Sequence, residues 1–140
     1  MSNDTLAEEL AIRKLLESFS IACIRKDTSM WAATWAAEAT WKIDALDQPA
    51  EGRENVVAVF ARIMPNIDFV SMNAFPADIV IDGDRATGKA YSQELIFPKA
   101  GPEKILVGCS HDEYVKRDGT WLFLKRSFET LRRGPLISAQ

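Results

Sequence analysis

The stretch H-D-E-Y-V-K-R-D-G-T-W-L-F-L-K-R, residues 111–126, decides the fold of this chain. It predicts two β-strands joined by a tight turn at Asp118-Gly119, because an Asp-Gly pair between two apolar runs is a strong hairpin signal. Charged side chains interrupt both runs. Such charges are unfavourable on a core-facing strand unless they are paired or face water. They are also the groups that a ligand pocket needs, so the hairpin indicates a pocket wall.

A long amphipathic helix is predicted at the N-terminus. Thr5 and Glu8 have the spacing of a capping box. Apolar residues then recur at helical intervals, at Leu6, Leu10, Leu15, Phe19 and Cys23. We therefore expect a helix over about residues 4–26.

Two shorter helices follow in the predicted order. Asp27 or Ser29 caps a second helix that runs through Trp31 and Trp35. After a short strand at residues 41–44, Gly52 precedes a third helix, which Pro65 ends. The apolar side of this third helix carries Val56, Val57, Phe60 and Met64.

The second half of the chain changes to the two-residue period of strands. The predicted strands cover residues 79–81, 86–97, 105–116 and 121–130, and the tail after Arg133 is expected to fray. Helices followed by strands indicate an α+β fold. We expect one domain, residues 1–140, in which three helices of the N-terminal half pack on one strongly curved, mostly antiparallel sheet. This cone-shaped arrangement would enclose a pocket.

Composition narrows the function classes. The 140 residues carry a net charge of −3 with no basic stripe, which argues against a nucleic-acid partner. No apolar run is long enough to span a membrane. The acidic N-terminus lacks the features of a signal peptide, so we expect a cytoplasmic protein. One histidine and two distant cysteines predict neither a disulfide framework nor a metal site, and no phosphate-binding loop is present, so no cofactor is expected.

The turn at Asp118-Gly119 decides which polar groups face the pocket. A two-residue loop pairs Arg117 with Thr120 and places His111 opposite Arg126. A three-residue loop with Gly119 in a left-handed bulge pairs Lys116 with Thr120 instead. We favour the three-residue loop, because Arg117-Asp118-Gly119 fits a type I turn followed by a left-handed glycine. Asp112 and Arg126 then form a diagonal pair inside the concave face.

Two interpretations of Asp112 and Arg126 remain open. They are catalytic, with Asp112 as an acid/base group in an apolar pocket and Arg126 as a charge stabiliser, or they form a structural salt bridge. Tyr114, Asn73 and Tyr91 are candidate hydrogen-bond partners for a ligand. We expect the apolar pocket wall to include Phe19, Cys23, Trp41, Phe60 and Phe128, with Leu122 and Leu124 also on the core side.

The opposite face of the hairpin is expected to be an interface. His111 would lie there with Glu113, and as a lone histidine it is more typical of a surface than of a catalytic site. Trp121 and Phe123 would also face outward. Because a soluble monomer seldom exposes such an apolar patch, these two residues suggest a homodimer. Asp27 is interpreted as a helix cap rather than a catalyst.

The order of several short motifs resembles the SnoaL-like branch of the nuclear transport factor 2-like superfamily. The resemblance covers about residues 8–130, and its motifs are K-D at 26–27, W-A-A-E-A-T-W at 35–41, E-G-R at 51–53, D-G-D-R-A-T-G at 82–88 and D-E-Y-V-K-R-D-G-T-W at 112–121. It implies a cone of three helices on a bent sheet, commonly dimeric. Members include dehydratases, a dehydrochlorinase, polyketide cyclases, an isomerase and non-catalytic binding proteins, so the fold alone does not choose an activity.

The resemblance also implies where catalytic residues would stand. The dehydratase and dehydrochlorinase members have a catalytic Asp at the position of Ile24 and a His near Met72 or Asn73, and this chain has neither. Ile24 cannot accept a proton, so the elimination by that dyad is excluded. Arg126 matches an active-site arginine of the dehydrochlorinase, and Asp112 matches a pocket histidine of scytalone dehydratase.

Two functions follow from these observations. The first is a cyclase, isomerase or lyase that acts on an apolar small molecule, such as a polyketide, terpenoid or steroid, without a cofactor. The second is a non-catalytic small-molecule-binding or dimeric accessory protein that has lost the dyad.

Overall fold

Helices pack against a single sheet in the computed structural model, which describes residues 3–136. The helices are α1 (Asn3–Arg25), α2 (Thr28–Ala32) and α3 (Arg53–Ile63), and a 3-10 turn covers Met64–Asn66. The strands are β1 (Trp35–Lys42), β2 (Ala50–Glu51), β3 (Ile67–Asp82), β4 (Arg85–Pro98), β5 (Lys104–Arg117) and β6 (Thr120–Pro135). The predicted α+β class is confirmed.

The strands form one curved sheet in the order β2-β1-β6-β5-β4-β3. All neighbouring strands are antiparallel except β1 and β6, which pair in parallel. The last strand of the chain therefore lies inside the sheet, between β1 and β5. The helices cover the concave face, as expected.

One face of α1 forms much of the core. Its buried apolar side chains are Ile12, Leu15, Leu16, Phe19, Ala22 and Cys23. Leu6 and Leu10 were expected on the same stripe, but both are about half exposed. With 3.6 residues per turn, these two side chains project from the opposite side of the helix.

None of the described helices is long and apolar enough to cross a membrane.

Glu8 has a different role from the predicted one. The helix already includes Asn3, so Thr5 lies inside the helix and is not its N-cap. The Glu8 carboxylate accepts hydrogen bonds from Lys116 Nζ, at 2.6 Å, and from Trp121 Nε1. These bonds tie the start of α1 to the last hairpin, and they lower the pKa of Glu8.

Several predicted boundaries were wrong because tertiary pairing extends the strands. Trp35 begins β1, where it pairs with Phe123, instead of continuing the second helix. β3 starts at Ile67 rather than residue 79. A bulge with Asp78 in a left-handed conformation (φ 54°) interrupts its two-residue pattern. Gly134 and Pro135 continue β6 instead of fraying, and residues 137–140 lie outside the described part.

The last hairpin has the two-residue loop, so the favoured three-residue loop was wrong. Arg117 pairs with Thr120, and Asp118 and Gly119 both have positive φ, 51° and 79°. A type I′ turn requires this geometry, because it matches the twist of the flanking strands.

A bulge at Leu124 then changes the orientation of β6. Tyr114 pairs with Phe123, whereas the preceding residue Glu113 pairs with Lys125. One extra residue reverses which side chains face inward. Phe123 and Arg126 consequently both point into the concave face, and Asp112 lies directly opposite Arg126.

The outward orientation predicted for two aromatic residues was therefore wrong. Trp121 and Phe123 are 3% and 0% exposed and belong to the core. Leu122 and Leu124, expected on the core side, are only partly buried. The exposed aromatic side chains lie instead on the convex face of β3 and β4, where Phe75 stacks on Tyr91 and Phe69 contacts Phe97.

Replacing Phe123 by alanine tests its place in the core. Phe123 contacts Phe19, Trp35 and Tyr114 at ring-centroid distances of 5.4, 5.7 and 5.5 Å. We expect Phe123→Ala to lower the free energy of unfolding by about 3–5 kcal/mol, as for other buried phenylalanines. Urea unfolding measures this change. Leu10→Ala on the exposed side of α1 is the control, with an expected change within about 0.5 kcal/mol. Equal small effects would contradict the inward orientation.

Candidate active site

The concave face encloses a cavity of about 600 Å³. This volume is within the range of small-molecule sites, about 300–1,000 Å³. Apolar side chains from the three helices and five strands form most of its wall. Exposed charged residues also line it and mark its mouth; they are Asp44, Arg62, Lys104 and Arg133. The arrangement suits an apolar ligand that enters between polar groups.

A buried ion pair lies at the inner side of this cavity. Arg126 donates from Nε to Asp112 Oδ1, at 2.8 Å, and from Nη2 to Asp112 Oδ2, at 3.0 Å. The side chains are 4% and 0% exposed. A bidentate pair fixes the guanidinium in both position and plane. The structure thus brings together the two residues that the sequence predicted as a pair.

Further hydrogen bonds complete the environment of Asp112. Ser110 Oγ donates to Oδ1 at 2.7 Å, and the Tyr114 hydroxyl donates to Oδ2 at 3.4 Å. Burial, with Asp112 as the second cause, raises the pKa of Tyr114 and keeps it a donor. Each carboxylate oxygen accepts two bonds, so the desolvation of this buried charge is compensated.

Arg126 also packs between aromatic rings. Its guanidinium carbon lies 4.5 Å from the centroid of Phe19 and 4.2 Å from that of Phe123. Cation–π contacts of this kind stabilise a desolvated positive charge. Arg126 lines the cavity, whereas Asp112 lies behind it and does not. A cation is therefore presented to the ligand space and an anion is held behind it.

The predicted apolar wall is where the sequence placed it. Phe19, Cys23, Trp41, Phe60 and Phe128 all line the cavity. Burial raises the pKa of Cys23 to about 12, so this thiol is neutral at pH 7 and a poor nucleophile. Gly108 allows the Phe128 ring to lie flat on the wall, because a β-carbon at residue 108 would stand 2.0 Å from Phe128 Cζ.

The three residues predicted as polar ligand contacts do not line the cavity. Asn73 and Tyr91 lie on the convex face, because their strand neighbours Met72 and Ser92 point into the cavity and side chains alternate along a strand. Neither Asn73 nor Tyr91 therefore lines this cavity, where both were expected from the sequence to contact a ligand. Tyr114 points inward, but it bonds to Asp112 and does not line the cavity.

His111 lies on the outer face, as predicted. It is exposed, and its Nε2 lies 2.9 Å from Glu129 Oε1.

Asp27 is a helix cap, as predicted: its side chain accepts a hydrogen bond of 3.0 Å from the backbone amide of Met30.

Residues that carry no acid/base group occupy the positions of the dyad that the resemblance implied. Met72 lines the cavity, where the resemblance placed a histidine near residue 72 or 73. Ile24 is 37% exposed and does not line the cavity. Within residues 3–136, no three His, Cys, Asp or Glu side chains are grouped so that they could hold a metal ion.

Among the cavity residues that sequence reasoning missed, Glu94 is the carboxylate of the inner wall. It lies on the inward face of β4 and lines the cavity. Desolvation raises the pKa of Glu94, and the positive charge of Arg126 opposes part of that increase. The signal in the sequence was that Glu94 lies four residues after Ala90, so the two side chains point to the same face of β4. To know which face this is, the register between β4 and β5 is needed. A charged residue in a strand is otherwise assumed to face water.

Removing the negative charge of Asp112 tests the ion pair. We expect Asp112→Asn to lower the free energy of unfolding by about 3–5 kcal/mol, because Arg126 remains buried without its counter-ion. The control is Glu113→Gln on the neighbouring exposed position, whose ion pair with Lys125 spans 4.0 Å. An exposed pair contributes below about 1 kcal/mol. Denaturant unfolding compares the two variants.

An apolar replacement of the whole pair provides a further comparison. The double variant Asp112→Leu, Arg126→Met removes both charges, so it should be destabilised less than Asp112→Asn. A double variant less stable than Asp112→Asn would contradict the view that the unpaired guanidinium causes the loss.

Solved structures of other proteins share this fold. A hexachlorocyclohexane dehydrochlorinase of type 2 superimposes with a TM-score of 0.87 at 21% identity, over 97% of this chain and 93% of that chain. A Novosphingobium aromaticivorans protein provisionally named a scytalone dehydratase gives 0.86 at 21% identity, over 99% and 94%. A type 3 dehydrochlorinase from Novosphingobium barchaimii gives 0.86 at 20% identity, over 97% and 94%. At these identities the likeness shows the fold.

Sequence comparison gives the family. No curated protein sequence matches the chain significantly. The profile of the SnoaL-like domain matches residues 4–127, which is most of the chain. The chain therefore belongs to the SnoaL-like family.

Proposed function

We propose that the protein is a cofactor-independent enzyme of the cyclase, isomerase or lyase kind that acts on an apolar small molecule. The observation that supports this most directly is the buried guanidinium of Arg126 on the wall of an apolar cavity. A fixed positive charge in a water-poor site stabilises an oxyanion that forms during a reaction, without reorganisation of the site. The family and its dehydrochlorinase and dehydratase neighbours are compatible with this reaction class.

The geometry favours a positioning role for Asp112 over the acid/base role expected from the sequence. All four of its hydrogen bonds are made within the protein, and its side chain is 0% exposed. A group that exchanges protons with a ligand must lie within hydrogen-bond reach of it. Asp112 orients Arg126, and Ser110, which lines the cavity, is bonded to the same carboxylate.

A non-catalytic binding protein is the second candidate. The residues that favour it are Met72, which presents a thioether to the cavity, and Ile24, which stands outside the cavity. In that case the apolar wall would bind a ligand and Arg126 would recognise a polar group on it.

Binding of 2-naphthol tests the proposed charge stabilisation. Its apolar rings suit the cavity, and its ionised form carries an oxyanion. We expect the bound hydroxyl to have a pKa below its value in water, because Arg126 stabilises the naphtholate. Absorption spectra recorded across a pH series with saturating protein measure this pKa. Naphthalene, which cannot ionise, is the control for binding to the apolar wall.

Two outcomes would contradict the proposal. One is naphthol that binds without any lowering of its pKa. The other is an equal lowering in the double variant Asp112→Leu, Arg126→Met, which lacks the guanidinium but keeps an apolar cavity. Binding of naphthalene and naphthol with equal strength and no ionisation would favour the non-catalytic candidate.

We also propose that the protein forms a homodimer, and that its convex face is the contact. Phe69 and Phe75 are 49% and 62% exposed there, beside Tyr91 and Phe97. Exposed aromatic side chains gathered on one face of a sheet are typical of an interaction surface. Light scattering coupled to gel filtration should give a dimer for the natural chain and a monomer for Phe69→Ser, Phe75→Ser. Leu10→Ser is the control, since Leu10 is equally exposed but lies on α1.

A further inference from the structure

The position of Glu94 gives it access to the interior of the cavity. Glu94 pairs with Met72 on β3 and with Leu106 on β5, and all three residues line the cavity. Its inward neighbours on β4, Ser92 and Ile96, line the cavity too. The side chain is half-buried, and its remaining accessible surface faces the cavity.

The carboxylate of Glu94 also lacks the compensation that Asp112 has. Among residues 3–136, no side chain or backbone group makes an ion pair or a hydrogen bond with it. Arg126 acts on it through space and lowers its pKa less than burial raises it. A carboxylate placed in an apolar environment without a partner is unfavourable for folding. An uncompensated charge on a cavity wall is typical of functional sites.

The other charged or titratable groups of the cavity have different positions. They are Cys23 on α1, Asp44 after β1, Arg62 on α3, Lys104 on β5, and Arg126 and Arg133 on β6. Cys23 remains a neutral thiol, Asp44 bonds to Thr130 and Arg133, and Arg126 is held by Asp112. Arg62, Lys104, Asp44 and Arg133 are exposed at the mouth. Glu94 is therefore the carboxyl of the inner wall that is free to exchange a proton with a ligand.

We propose that Glu94 is the acid/base residue of this cavity, and that it transfers a proton at a carbon next to the carbonyl group of an apolar ketone. The inference rests on the proposed function, because it uses Arg126 as the stabiliser of the oxyanion. It names the residue that exchanges the proton and the class of substrate.

The reaction is balanced by the groups present. A Glu94 carboxylate oxygen accepts the proton from the carbon, and the C–H bond breaks. Its electron pair forms a carbon–carbon double bond, and the carbonyl electrons move to the oxygen, which becomes an enolate beside Arg126. Return of the proton to the same carbon exchanges hydrogen. Return to a more distant carbon of a conjugated enolate moves a double bond, which is an isomerisation. The raised pKa brings the carboxyl closer to the basicity that suits such a transfer near neutral pH.

Hydrogen exchange of 2-tetralone in deuterated water tests the proposal. This bicyclic ketone is apolar and carries exchangeable hydrogens beside its carbonyl, which NMR follows. We expect the natural chain to accelerate the exchange, and Glu94→Gln to lose about 100-fold or more of that acceleration, as for removal of a general base. Glu94→Asp should retain part of it. Glu113→Gln, an exposed glutamate of the outer face, should retain all of it.

The pH dependence of stability gives a second readout that needs no substrate. The pKa of Glu94 is raised in the folded chain, so between the ordinary value of about 4.5 and the raised value the folded state binds more protons than the unfolded state. The natural chain should therefore lose stability relative to Glu94→Gln as the pH rises through that window. At pH values below this window, the difference in stability between the natural chain and Glu94→Gln should be smaller. Thermal unfolding of both chains across a pH series measures it.

The outcomes separate this inference from the proposed function. Equal exchange by the natural chain and Glu94→Gln would overturn the role of Glu94 and leave the enzyme proposal intact. A stability difference between the two chains that does not change with pH would also overturn it. Bound 2-tetralone that the natural chain does not exchange, together with unshifted naphthol, would overturn both proposals.

Discussion

Charge neutralisation between Asp112 and Arg126 is the constraint on which the concave side of this sheet depends. Each group alone is expensive to desolvate, and the bidentate geometry with Ser110 and Tyr114 makes their burial tolerable. Because the two residues are direct neighbours on β5 and β6, their contact also fixes the register of the central strands. The same contact turns the guanidinium toward Phe19 and so connects α1 to the sheet. The ion pair that allows both charges to be buried in the fold therefore also fixes the Arg126 guanidinium on the cavity wall.

Two carboxylates of similar chemistry thus have opposite environments. Asp112 is fully hydrogen-bonded and behind the wall, whereas Glu94 is on the wall without a partner among the described residues. The contrast follows from their strand positions. Asp112 faces a strand neighbour of opposite charge, while Glu94 lies between Met72 and Leu106, which offer neither a donor nor a counter-charge. Environment, rather than residue type, separates a positioning group from a group that can exchange protons.

Local patterns in the sequence predict the helices and the class of the fold well. Helical periodicity places α1 to within a residue of its observed ends, and the Asp118-Gly119 pair identifies the last turn. Local sequence patterns do not predict the bulge at Leu124, because it depends on how β5 and β6 pair and no residue type in this segment indicates it. Trp121 and Phe123 were assigned to the wrong face for that reason. Asp112 and Arg126 were found because charges inside an apolar hairpin are conspicuous, while Glu94 required a register that the loop at residues 99–103 does not specify.

The position of β6 within the sheet has a consequence for how this protein is made. β6 is the last strand in the chain, yet it joins β1 to β5 and supplies Arg126 to the cavity. During synthesis, the helices and the first five strands emerge before the strand that unites them. Sheets with such long-range pairing fold slowly, and intermediates with unpaired strand edges are prone to association. The emerging chain must therefore keep the edges of β1 and β5 unpaired until residues 120–135 have left the ribosome, and during this period a chaperone would have the most exposed strand edge to protect.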